Sequence, residues 1–417
     1  MHNFIFRNPT KIFFGRGVLK NLGSELKSYG KSTLIIYGSK NIIKIGLLDK
    51  VKKILINNNI SYFELSGIIP NPVISKVRMG INIVKKNRIK TILAIGGGSV
   101  IDTGKIISAG ATVNHDPWDF FTGKKTVQKG IPLITIQTLS GTAAEVTSGA
   151  TITNNKTKEK LGAGGYSLYP KASFLDPEIT FSVPSNHTAY GAADMLSHIL
   201  DPYFFGRNDK TSVPDKLAEA IAKIIFDVAI KTLLYPKNYE TRATLMWTAV
   251  LANNGMISRG SNPSRYYFHM LEHSISGLFN VPHGAGLSVI IIGWTKYAAK
   301  HMPFKLAQFG INVFNIKRKK NENIHMVAKL TASMLKKWFK TIKCPTKLSE
   351  LNIKKNKFNI ISESILKEIK KETKGLEGDK LKDFTEQYYP EKKNLLNINS
   401  VLKFEKQRII KILKLCE

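Results

Sequence analysis

The sequence predicts two domains: an α/β, Rossmann-like domain over residues 1–185 and an all-α domain over residues 186–417. Three observations lead there. Up to about Ser185, short and nearly continuous apolar runs alternate with helix-like segments, each run halting at glycine or threonine. One of these runs passes directly into a glycine-rich turn that opens a helix. After Ser185, apolar residues recur at helical spacing with few β-branched alternations.

The elements follow in order. Thr33-Leu34-Ile35-Ile36-Tyr37 ends at Gly38, Thr91-Ile92-Leu93-Ala94-Ile95 ends at Gly96-Gly97-Gly98, and Leu133-Ile134-Thr135-Ile136-Gln137 ends at Thr138. Runs without polar alternation fit strands buried on both faces of a parallel sheet. Between the first two, Ser75 to Lys86 sets Val77, Ile81 and Val84 on one helical face. Strands alternating with helices imply βαβ units. Downstream, Pro214-Asp215 opens a helix carrying Leu217, Ala220, Ile221, Ile224 and Val228, which stops before Pro236. Met326 to Phe339 repeats the pattern with Val327, Leu330, Met334 and Trp338. Caps and prolines set such limits. The Lys317-Arg318-Lys319-Lys320 run reads as a solvated loop.

Composition narrows the function classes. A chain of 417 residues with 43% hydrophobic residues is neither disordered nor collagen-like. No apolar run approaches the ~20 residues of a membrane-spanning helix. The first seven residues, Met1 to Arg7, lack the grading of a signal peptide, so a cytoplasmic location is expected. Two cysteines, Cys344 and Cys416, make no disulfide framework and no metal-ligand spacing. The formal charge of +33 raises a polyanion-binding protein as a remote alternative. Against it, lysines number 53 and arginines only 10, and the excess is spread along the chain. Arginine is the better reader of phosphates and bases, so a coding bias toward lysine and asparagine accounts for the charge.

Gly96-Gly97-Gly98-Ser99-Val100-Ile101-Asp102-Thr103-Gly104-Lys105 joins a predicted strand to a predicted helix. Glycines let the backbone approach a bulky anion, and the first N–H groups of a helix have no internal partner. Ser99 is placed to cap the helix or to donate to a phosphate oxygen. A tight turn with no ligand is the plainer alternative. The stretch is not GxGxxG, and the end of the first run, Gly38-Ser39-Lys40, lacks that fingerprint too.

Four of nine histidines stand in telling positions. Asp194 and His198 are four apart, as are His269 and His273, and His283 follows in Val281-Pro282-His283-Gly284. Residues at i and i+4 share a helical face and can bind one ion. An aspartate with several imidazoles suits divalent iron, zinc or a similar first-row ion. His2, His115, His187, His301 and His325 have no such company, and His115 falls in a loop.

Together these blocks resemble the iron-containing (group III) alcohol dehydrogenases, most closely the butanol dehydrogenase-like branch. Phe6 to Gly15 looks like that family's first strand hairpin, and Pro70-Asn71-Pro72, Thr138 to Glu145 and Leu175-Asp176-Pro177-Glu178 look like further family blocks. His269 to His283 matches H-x3-H-x9-H, and the likeness is diffuse beyond about residue 300. The resemblance implies the dehydroquinate synthase-like architecture, an α/β Rossmann-like domain followed by a helical one. It implies a divalent metal, Fe2+ first and Zn2+ second, on Asp194, His198, His269 and His283, with His273 as a catalytic histidine near the nicotinamide. Gly97, Gly98 and Ser99 would hold the pyrophosphate of NAD or NADP. Thr138 and Thr142 would line the nicotinamide, Asn71 and Lys160 would reach the cofactor, and Gly38 and Ser39 would meet the adenosine ribose. The implied activity is hydride transfer between small, butanol-like primary alcohols and their aldehydes. A polyol (glycerol-type) dehydrogenase or a lyase on the same fold is the alternative. A homodimer or larger homo-oligomer is implied, with no specific nucleic acid and no membrane.

Two departures carry expectations. The branch commonly reads Gly-Gly-Gly-Ser where this chain has Gly38-Ser39-Lys40-Asn41. NAD-selective sites usually place a carboxylate on the ribose 2′-hydroxyl. With none here and Lys40 at hand, NADPH is the expected preference, with NADH still usable. Asp201 stands where the branch usually has glutamate, a change expected to matter little.

Overall fold

A computed structural model describes all residues except 1, 39, 207–211, 262–265, 319–322, 390, 393–394 and 396, and the side chains at 212, 372, 379 and 387. Ser39 and the Lys319-Lys320 part of the basic run therefore lie outside the described residues, while Lys317 and Arg318 are exposed. The chain packs as two compact units. One comprises Phe6–Ala192 with Lys231–Gly255; the other comprises Met1–Ile5, Ala193–Ile230 and Met256–Glu417.

The α/β unit is built on strands β1 (Lys11–Phe14), β2 (Ser32–Tyr37), β3 (Ser61–Leu65), β4 (Thr91–Gly96), β5 (Leu133–Gln137) and β8 (Ala172–Leu175). They form one sheet in the order β1-β8-β5-β4-β2-β3, with every pair parallel. β6 (Gly149–Asn154) and β7 (Glu159–Gly164) make a separate antiparallel pair. The helices are α1 (Leu22–Lys27), α2 (Asn41–Lys44), α3 (Leu47–Asn57), α4 (Ile74–Asn87) and α5 (Gly98–Gly110). Successive residues of β2, β4 and β5 point to opposite faces, so the sheet feeds two cores. Leu34, Ile36, Ile92, Ala94 and Leu133 pack with Val77 and Ile81 of α4 and Ile101 of α5. Ile35, Leu93, Ile95, Ile134 and Ile136 pack on the other face with Leu22 and Leu26 of α1 and Val51 and Leu55 of α3.

The expected hairpin at Phe6–Gly15 is not formed. β1 is a single strand whose sheet partner is β8, reached in parallel from far downstream, and Phe13 stacks on Phe174 with ring centroids 4.5 Å apart.

The remaining helices are α6 (Ser185–Phe205), α7 (Ser212–Leu234), α8 (Tyr239–Asn253), α9 (Tyr267–Phe279), α10 (His283–His301), α11 (Pro303–Phe314), α12 (Ile324–Thr341), α13 (Phe358–Glu372), α14 (Gly378–Tyr388) and α15 (Ile398–Leu415). The division into units does not fall at residue 185. It cuts α6 between Ala192 and Ala193, and it returns α8 to the α/β unit. The cause is packing. Met246 and Val250 of α8 share a cluster with Ala143, Val146 and Leu175, and buried Arg242 donates to Thr188 Oγ1 at 3.1 Å. In the helical unit an aromatic cluster joins three helices: Phe205 of α6 lies 5.3 Å from Phe268 of α9, and both meet Trp294 of α10 at 5.1 and 5.2 Å. Such edge-to-face contacts add rigidity beyond their buried area. Among the described residues no helix is long and apolar enough to cross a membrane.

Candidate functional site

The α/β unit offers one set of groups. From β2 the chain moves outward to β3, whereas from β4 it moves the other way to β5. The strand order reverses between β2 and β4, and open parallel sheets bind ligands beyond the carboxyl ends at such a point. Gly38 follows β2 there, and Gly96-Gly97-Gly98 lead from β4 into α5. No side chain caps α5, which leaves its first N–H groups and dipole facing outward. Ser99 does not cap the helix: it sits inside the first turn, and its carbonyl accepts from Thr103 Oγ1 at 2.8 Å.

Glycine is demanded here by crowding. A Cβ on Gly98 would lie 2.6 Å from Thr142 Cγ2, and one on Gly38 would lie 2.5 Å from the Ile68 carbonyl oxygen. The loop 138–142 thus rests directly on the start of α5. Besides the bond from Thr138 N to the Gly96 carbonyl at 3.3 Å, three bonds to side-chain groups hold it. Thr138 N donates to Gln137 Oε1 at 3.1 Å, Ala144 N donates to Thr142 Oγ1 at 3.2 Å, and Asn253 Nδ2 donates to the Thr142 carbonyl at 3.1 Å. Gln137 is fixed in turn by Nε2 donating to Glu145 Oε2 at 2.5 Å. Burial pushes the Glu145 carboxyl up to about 7 and the neighbouring Lys105 ammonium down to about 8. Lys160 and Asn71 form a buried pair of their own, Nζ donating to Oδ1 at 3.0 Å.

The helical unit offers the second set. Asp194 and His198 project from α6, His269 and His273 from α9, and His283 is the first residue of α10. Asp194 Oδ1 faces His198 Nδ1 at 3.6 Å, His269 Nε2 at 3.6 Å and His283 Nε2 at 3.7 Å. Asp194 Oδ1 and His198 Nδ1 are buried without any hydrogen-bond partner. Buried polar atoms are rarely left so. Ligand atoms of Asp194, His198 and His269 all lie within 4.8 Å of one another, close enough to share one ion, and His283 Nε2 faces the same carboxylate oxygen from α10. Orphaned donors, donor chemistry and spacing all suit a divalent metal.

Electrostatics agree with a site built around positive charge. Burial pushes the Asp194 carboxyl up, but His198, His269 and His283 together outweigh it and hold the group well below the usual carboxylate range. Burial drives the His198 imidazole down to about 4. Burial also works against His269, yet Asp194 and Asp201 lift it to about 9.

Two carboxylates whose role sequence reasoning missed orient the imidazoles. Asp201 is fully buried; its Oδ2 lies 2.6 Å from His269 Nδ1, and its Oδ1 accepts from Phe268 N at 2.8 Å. Aspartate, standing where the branch usually has glutamate, still supplies the carboxylate, which fixes both the tautomer and the backbone of His269 and leaves Nε2 toward Asp194. Glu272, also fully buried, pairs with His283 Nδ1 in the same manner. The signal was present, since Asp194, His198 and Asp201 at i, i+4 and i+7 form one helical stripe. His273 is partly exposed, its ring 6.1 Å from His269 and 5.4 Å from His283. His115 sits apart in its loop, edge-on to Phe120 at 5.0 Å.

An uncapped helix start after a glycine turn and a cluster of imidazoles around a buried carboxylate are the parts that a dinucleotide-linked metalloenzyme uses. The chain belongs to the iron-containing alcohol dehydrogenase family. The family model described as iron-containing alcohol dehydrogenase matches residues 9–177, and that of the family's C-terminal part matches residues 188–377. The chain is 38% identical to NADH-dependent butanol dehydrogenase A of Clostridium acetobutylicum, over 88% of this chain and 94% of that one. It is 30% identical to the NADPH-dependent aldehyde reductase YqhD of Escherichia coli, over 85% and 90%. Among solved structures, NADH-dependent butanol dehydrogenase A of Thermotoga maritima superposes with a TM-score of 0.89 at 33% identity, covering 100% of this chain and 99% of that one.

Proposed function

We propose that this chain is a metal-dependent, NAD(P)-linked alcohol dehydrogenase and aldehyde reductase acting on small primary alcohols and their aldehydes. The observation that carries the reading is the carboxylate oxygen of Asp194 facing three imidazole nitrogens at 3.6–3.7 Å with no hydrogen-bond partner. In this reading Asp194, His198, His269 and His283 hold the ion, with Fe2+ the first choice and Zn2+ the second. Gly38, Gly97, Gly98, Ser99, Thr138, Thr142, Asn71 and Lys160 hold the dinucleotide, and Ser39 belongs to the same set. A bound metal supplies Lewis acidity at the substrate oxygen, and the nicotinamide carries the hydride.

The protein's own contribution is arrangement. Asp201 and Glu272 keep the Nδ1 protons of His269 and His283 in place, so that each Nε2 stays a donor to the ion. The crowded loop 138–142 fixes Thr138 and Thr142 before any ligand arrives, which spares that ordering at binding. His273 is partly exposed beside two ligand imidazoles, where it can hold the alcohol proton and pass it to solvent.

NADPH is the proposed preference, with NADH accepted: no carboxylate stands at residues 38–41, and Lys40 is exposed there. The relatives' names include both NADH- and NADPH-dependent enzymes. Cys344 and Cys416 are both buried and free, as a reducing cytoplasm keeps them, and a homodimer or larger assembly is proposed with it. The test is metal content together with NADH and NADPH oxidation against butanal, in the wild type and in His269→Ala. Full metal and full turnover in that variant would sink the assignment.

A further inference from the structure

The last helix, α15, lies beyond the residues that the family models match, which end at 377. Its start is fixed by a capping box between Asn397 and Ser400. Two charges on it, Glu405 and Arg408, are completely or almost completely buried. Both face Tyr267, the first residue of α9 and two positions before His269. Tyr267 Oη donates to Glu405 Oε1 at 2.6 Å, and the Arg408 guanidinium stands 4.9 Å over the Tyr267 ring. Arg408 is itself tied down: Nη1 donates to the Tyr388 carbonyl at 2.7 Å, and Nε lies 3.3 Å from Glu391 Oε1.

α9 has no side-chain N-cap. Its first turn is gripped instead by two buried carboxylates on different helices. Asp201 of α6 takes Phe268 N and His269 Nδ1, and Glu405 of α15 takes the Tyr267 hydroxyl. Just past α15, Cys416 reaches another of the ligand helices, its Sγ donating to the Val289 carbonyl of α10 at 3.4 Å. Buried ion pairs are poor sources of stability, and apolar packing often serves as well or better. What this cluster provides is a defined place and angle for the start of α9.

We propose that Tyr267, Glu405 and Arg408 are positioning residues for His269: through Tyr267 at the start of α9, Glu405 and Arg408 of α15 set the donor spacing around Asp194 Oδ1. The inference rests on the metal assignment made above. Its test uses the full-length protein loaded with cobalt(II), whose visible bands report the donor geometry. Tyr267→Phe removes a single hydroxyl and keeps the ring. It is expected to shift the cobalt bands and to speed release of the ion to a chelator by about fivefold or more. Glu405→Gln, which retains an oxygen for the hydroxyl, should shift both in the same direction by less. Unchanged bands and release rate in Tyr267→Phe, with or without a lower melting temperature, would leave only a structural role and overturn the inference. A wild-type protein that takes up no cobalt would overturn the metal assignment itself, and this inference with it.

Discussion

Replacing Asp201 with asparagine isolates the part played by one buried carboxylate. The aspartate accepts two hydrogen bonds, from Phe268 N at 2.8 Å and from the His269 ring at 2.6 Å. When His269 Nε2 faces an ion, Nδ1 must carry the proton, so both partners of Asp201 are donors. Asparagine has one acceptor and one donor end. Whichever way its amide turns, an N–H meets an N–H, and one bond becomes a repulsion between buried groups. Loss of such an orienting partner typically weakens metal binding ten- to a hundredfold, about 1.4–2.7 kcal/mol. Chelator competition on the wild type and Asp201→Asn measures it directly, with the melting temperature of the metal-free proteins followed alongside. Affinity within about twofold of the wild type would refute the reasoning, because the orienting bond would then carry no cost when broken.

Three further outcomes are expected. Gly98→Ala places a Cβ where Thr142 Cγ2 is only 2.6 Å away, so a methyl group suffices to displace the loop; dinucleotide affinity should fall about tenfold with metal content unchanged, as calorimetry and metal analysis would show. Lys40→Ala should weaken NADPH about fivefold and leave NADH unaltered, a modest effect because the side chain is exposed and screened, and fluorescence titration with both cofactors decides it. Glu145 is raised from 4.5 to about 7 by burial, so it contributes most to stability below pH 4.5 and loses that contribution as pH climbs to 7. Glu145→Gln should therefore gain on the wild type in urea unfolding across that window, and parallel stability curves would show that the group is not shifted.

How legible all this was in the sequence depended on burial and spacing. β2, β4 and β5 were readable because central parallel strands are covered on both faces and leave unbroken apolar runs. β3, at the sheet edge, is mostly exposed, and β6 and β7 carry threonine, lysine and glycine, so neither offers an apolar run. β1 has four residues with exposed ends, and its pairing with β8 is a long-range event that no local pattern announces. In the site, the ligand candidates stood out because histidine is scarce and its spacing helical. Asp201 and Glu272 did not, since a lone carboxylate on a helix usually faces water, and only the fold shows each one aimed at an imidazole. That α8 packs with the α/β unit was not legible for a related reason: a helix looks alike in sequence whichever core it serves.

The parallel pairing of β1 with β8 also has a consequence in time. Lys11 aligns with Ala172, so β1 leaves the ribosome long before the strand that completes its ladder. At about 5–20 residues per second, the delay is roughly ten to thirty seconds. During that interval Ile12 and Phe13, which end half-buried, have no sheet to join, and a slowly closing, non-local parallel pair is where misassembly competes best with folding. Nascent chains halted before residue 172 should hold chaperones that chains halted well after 175 release.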